Sequence, residues 1–114
     1  MIDASAVDAI VEQYARHGWT LRRILVTEDP EDELISQFPN IEILRSGIDA
    51  VWFSRINRSS ETWELRRLAG SPFALVQSIE NGMFRLERDI LLHEIELRMA
   101  NTLQTSGSEN RREK

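Results

Sequence analysis

The chain has 114 residues, of which 41% are hydrophobic and 29% charged, with a formal net charge of −5. That is ordinary globular composition, and it is enough chain for one domain with a real core rather than two. The lack of cysteine excludes disulfides, thiol nucleophiles and zinc ribbons, and the acidic balance argues against nucleic-acid or anionic-membrane binding, which needs a basic field.

Ala4 to Arg16 predicts a helix, because Val7, Ile10, Val11 and Tyr14 recur at helical spacing. Gly18 is a left-handed stop, and Arg16 and His17 sit at the negative helix end. Thr20 to Val26 predicts a strand with a continuous apolar end. Asp29-Pro30-Glu31-Asp32-Glu33 then places a capping side chain before a proline and acids in the first turn. A short helix follows through Leu34, Ile35 and Phe38, ended by Pro39-Asn40. The acidic run would attract a hard cation, but helix capping accounts for each of its residues.

Ile41 to Arg45 is a second strand, and the short helix makes a crossover that sets it parallel to the first. Strands at Asp49 to Ile56 and Thr62 to Leu68 complete an expected antiparallel meander over residues 41–69. Phe73 to Glu80 is ambiguous. Phe73, Leu75 and Ile79 fit a strand face, whereas Ser71 before Pro72 fits a helix start; a strand is the reading adopted. Asn81-Gly82 is a turn, and a long helix spans Met83 to Leu103. Residues 104–114 are polar and read as a flexible tail, leaving residues 1–103 as the domain. The expected class is α+β: a mixed four- or five-stranded sheet packed with an N-terminal helix, a short crossover helix and a long C-terminal helix. The helices are expected mainly on one face.

The last helix carries two apolar stripes. Met83, Leu86, Ile90, His93, Leu97 and Ala100 form one; Phe84, Leu91, Leu92, Ile95, Met99 and Leu103 form the other. A helix that covers a sheet needs only one. The second must be covered by the first helix or by a second copy of the chain. A homodimer through Phe84, Leu91, Leu92, Ile95, Met99 and Leu103 is the expectation.

The same helix sets Asp89, His93 and Glu96 along one edge, a weak candidate for a divalent metal; Arg85 stands where it would pair with Asp89 instead. Asp49 opens one strand, and Glu64-Leu65-Arg66 lies on the next. This arrangement resembles the metal-dependent nuclease pattern of an aspartate followed by Glu-x-Lys. The resemblance covers about 20 residues and implies that Asp49 and Glu64 hold a metal, with Glu12 as a third carboxylate. Arg66 replaces the lysine and stays protonated, so it cannot act as a base. A degenerate phosphodiesterase is therefore the alternative to a non-catalytic interaction or ligand-binding module.

Arg22, Arg23, Arg45, Arg55, Arg58, Arg66 and Arg67 gather in the strand region. Cross-strand pairing with Glu42, Glu61 and Glu64 is expected, although guanidinium forks would also suit a small anionic ligand. Trp19, Trp52 and Trp63 are expected to fill the core. Lys114 is the only lysine, which excludes Schiff-base chemistry and a lysine-dependent phosphate loop. No residue pattern asks for a cofactor. No apolar run reaches membrane length, and Met1 to Ser5 lacks the start of a secretory signal. The expected location is a bacterial-type cytoplasm.

Overall fold

A computed structural model describes residues 3–69 and 73–112. Helix α1 spans Ala4–Ala15, with the Asp3 carboxylate accepting from the Ser5 amide at 3.2 Å as its N-cap. Gly18, at φ 84°, turns the chain out of the helix into β1, Thr20–Val26. Helix α2 is Asp32–Gln37, and its cap is Glu31, without a side-chain bond. This corrects the expected cap at Asp29. The Asp29 carboxylate is drawn to Arg45 Nη1 at 2.6 Å instead, and Pro30 stays outside the helix.

Four further strands follow: β2 Glu42–Arg45, β3 Ala50–Ile56, β4 Ser60–Arg67 and β5 Ala74–Glu80. Residues 73–80 are thus mostly strand, and Gly82 at φ 96° makes the turn after them. Helix α3 spans Arg85–Arg112. Its span includes residues 104–112, which composition reads as a polar tail.

The sheet order is β2-β1-β3-β4-β5. β1 pairs with β2 in parallel and with β3 antiparallel, and β3, β4 and β5 form antiparallel neighbours. The α2 crossover behaves as expected. The meander holds for β3 and β4 but not for β2, which lies at the edge and never meets β3, because β1 stands between them. A second correction concerns the layers, for helices cover both faces. Val7 of α1 and Leu34 and Phe38 of α2 pack on Ile24, Val51 and Phe53. Leu92, Ile95 and Met99 of α3 pack on Trp52, Trp63 and Leu65 from the other side. Adjacent strand residues point to opposite faces, so an interior strand such as β3 must be apolar on both.

The ladder between β1 and β3 is irregular at one point. β1 steps two residues, from Leu21 to Arg23, while β3 steps one, from Phe53 to Trp52. Arg22 is the extra residue of this bulge. Alternation is broken there, and Arg22 and Arg23 both reach the α3 side of the sheet, where they meet Ser54 and Asp89 respectively.

Candidate functional site

The site is assembled on α3. Its inner line, Leu92, Ile95 and Met99, is fully buried against the sheet of the same chain. These three residues were expected at a dimer interface, and their placement corrects that assignment. Leu91 is partly buried beside them, Phe84 is exposed, and the side chain of Leu103 lies outside the described residues. The other stripe is mixed: Met83 and Ala100 at its ends pack on the same core, and its middle faces outward. Leu86, Ile90 and Leu97 expose 72%, 55% and 51% of their surface. The central residues of the two stripes have therefore exchanged the roles assigned to them, whereas Phe84 is exposed and Met83 and Ala100 are partly covered. The imidazole of His93, in the middle of the outer stripe, was the sequence signal that this stripe is the wetter one.

Two long-range bonds fix the roll of the helix. Trp52 Nε1 donates to Glu96 Oε2 at 2.8 Å. Arg23 Nη2 donates to Asp89 Oδ1 at 2.9 Å. Beyond this edge, α3 leaves part of β1 and β2 uncovered. A groove of about 340 Å³ remains, lined by Leu44, Gly47, Ile48, His93, Leu97 and Ala100. Leu44 is an exposed edge-strand residue that no periodicity singled out.

The candidate metal triple is engaged elsewhere. Asp89 pairs with Arg23 and Arg88, not with Arg85. Glu96 holds the Trp52 indole, and its other oxygen lies 3.4 Å from His93 Nδ1. Among the described residues, no group of three His, Asp or Glu side chains is arranged to hold a metal ion.

The nuclease-like carboxylates are not brought together. Glu64 lies opposite Phe53, four residues along β3 from Asp49, which is about 13 Å of strand. Asp49 Oδ1 accepts from the Thr27 amide at 2.8 Å and clasps the end of β1. Glu64 accepts from the Tyr14 hydroxyl, and Tyr14 stacks on Phe53 with ring centroids 4.0 Å apart. Arg66 stands beside Tyr14 at a shallow depression with Gln13. Glu12 is exposed on α1.

Burial, and then the bond to Glu64, push the Tyr14 phenol above its ordinary value. A phenol raised in this way favours the fold fully below the unfolded pKa of about 10, and that support is lost as the pH climbs toward the folded value. Tyr14 is the only tyrosine, so tyrosinate absorbance in an alkaline titration reads it alone. Ionisation is expected well above pH 10, moving down in Glu64→Gln. A wild-type midpoint at about 10 would show that the phenol is free of Glu64.

The bulge builds a cluster around Trp63. The guanidinium carbons of Arg22, Arg23 and Arg88 lie 4.4, 5.8 and 5.2 Å from its ring centre. Acids balance them. Glu61 takes Arg22 at 3.2 Å and the Trp63 Nε1 at 2.9 Å, and Glu42 takes Arg23 at 3.2 Å. Burial works against the Asp89 charge, but the Arg23 and Arg88 contacts outweigh it and hold its carboxyl below the usual carboxylate range. An incoming anion would compete with these carboxylates for the same guanidiniums. Cross-strand pairing by Glu42 and Glu61 follows the sequence expectation, whereas Glu64 turns to Tyr14.

No helix among the described residues is long and apolar enough to cross a membrane. No family model, curated protein or solved structure matches this chain.

Proposed function

We propose that the chain is a non-catalytic interaction module that works as a homodimer, with the outward face of α3 as its contact surface. One observation carries this reading: Leu86, Ile90 and Leu97 are exposed in line on a helix whose opposite face is already buried. The sheet needs only the inner stripe, so the outer stripe has no use within the α3–sheet contact. Helix α1, the intrachain alternative, packs on the other side of the sheet. Covering the exposed part of these leucine and isoleucine side chains favours association. The charged groups nearest the sheet are spent on one another, in the Trp63 cluster and at Tyr14–Glu64, which suits a structural role for them.

Light scattering at about 100 μM, a concentration that populates a dimer of micromolar affinity, should give twice the chain mass. Leu97→Asp should give one chain mass with unchanged far-ultraviolet circular dichroism, since the position is solvent-facing in the single chain. A wild-type protein that is monomeric under these conditions overturns the reading.

A further inference from the structure

The two edges of the sheet differ. β2 is four residues long, and its Arg45 is tied to Asp29. β5 is seven residues long, pairs with β4 without a bulge, and carries neither proline nor a basic residue. Those are the features that ordinarily blunt a bare edge. The phase of the β4–β5 ladder sets which groups lie on this edge. The Arg67 amide donates to the Phe73 carbonyl at 2.8 Å, and the Asn81 amide to the Ser59 carbonyl at 3.2 Å. Hydrogen-bonded pairs alternate along an antiparallel ladder, so Leu75, Gln77 and Ile79 turn their backbone groups to β4. Ala74, Val76, Ser78 and Glu80 turn theirs outward. Among the described residues, only the Gln77 side-chain amide, on the Ser78 carbonyl at 3.0 Å, and the Met83 amide, on the Glu80 carbonyl at 3.3 Å, reach these outward groups.

The strand is self-complementary. Two β5 strands laid antiparallel about a two-fold axis at Gln77 set Val76 against the partner's Ser78 and Ala74 against the partner's Glu80, outward backbone to outward backbone. On the α3 face, Leu75 comes beside the partner's Ile79, which prolongs the apolar core. On the other face, the small Ala74 stands between Arg66 and the partner's Glu80. Those two residues are then two strand spacings apart, about 10 Å, a span their long side chains close together. Arg66 borders a shallow depression with Gln13, Tyr14 and Ala74, which leaves room for a carboxylate. Neither Arg66 nor Glu80 forms an ion pair among the described residues. The two Glu80 residues lie at opposite ends of the pairing, and the Glu64 carboxylate is turned to Tyr14. Moving the axis by one residue unpairs the ends of both strands and takes Glu80 off Ala74.

We infer that the β5 edge takes the β5 of a second copy, antiparallel about an axis at Gln77, to make one continuous sheet. This contact lies apart from the outward stripe of α3 and does not depend on it. A strand pair of this length falls short of a standard interface. Its Kd is therefore expected in the millimolar range, above the concentration that tests the α3 contact.

The Leu97→Asp chain removes the α3 contact and isolates the edge. Its amide NMR signals at Ala74, Val76, Ser78 and Glu80 should shift between about 0.1 and about 3 mM, a range that brackets such a Kd. Val76→Pro removes an outward N–H that β4 does not use, so the fold should survive and the shifts should vanish. Glu80→Arg keeps every backbone donor but sets arginine against Arg66, and it should abolish the shifts as well. β5 amides that stay still over this range would overturn the inference. Shifts that persist in Glu80→Arg would overturn it too, by showing that the edge takes any strand rather than this one in this register. A wild type that is monomeric at about 100 μM would overturn the α3 reading and leave this one standing.

Discussion

Trp63→Ala is expected to cost about 4 kcal/mol of folding stability, a large part of the 5–15 kcal/mol that holds a domain of this size. Trp63 is 1% exposed and meets Trp52 edge-on, with centroids 5.9 Å apart. Its removal opens a cavity beneath α3, and the surrounding sheet can close that cavity only in part. It also removes the ring on which Arg22, Arg23 and Arg88 rest, and the indole donor to Glu61. The three guanidiniums would then lie beside an apolar void. Urea denaturation followed by circular dichroism should show the midpoint falling sharply. Trp63→Phe should recover much of the loss, since it keeps most of the volume and an aromatic face. If Trp63→Ala unfolds at the wild-type midpoint, the cluster is not part of the core.

Ile95→Asp should prevent folding, whereas Leu97→Asp, two residues on, should leave the monomer fold intact. Ile95 is 1% exposed against the sheet, and no cation among the described residues pairs there to accept its carboxylate. An unpaired charge in such a place costs more than a marginally stable domain can lose. Leu97 projects to solvent, where a carboxylate is hydrated. The pair separates packing within the chain from association between chains. Proteolysis and heteronuclear NMR spectra of the two variants would check it. A folded Ile95→Asp protein would mean that α3 rolls about its axis to present the other stripe.

Local rules recovered several elements with their reasons. Gly18 ends α1 in the left-handed conformation, the apolar run Ile24-Leu25-Val26 belongs to an interior strand, and the short α2 makes its two flanking strands parallel. Phe73–Glu80 fitted two local patterns, and Gln77 facing Trp63 in the β4 ladder shows which one the fold uses. The Asp29 cap did not form because α2 begins only at Asp32, which puts Asp29 three residues before the helix, where its carboxylate meets Arg45 instead.

The candidate site divides along the same line. Periodicity alone established that the C-terminal helix has two apolar stripes, and the absence of cysteine established that thiol and disulfide chemistry are closed to this chain. Which stripe is buried was decided by tertiary contacts. Asp89 reaches Arg23 across 66 residues of sequence and Glu96 reaches Trp52 across 44, and together they set the roll of α3. The separation of Asp49 from Glu64 likewise comes from the strand register. Hydrophobic spacing depends only on neighbours within a few turns and is therefore written in the sequence. The rotation of a helix on a sheet, and the register of one strand on another, depend on partners that only the folded chain brings within a hydrogen bond's reach.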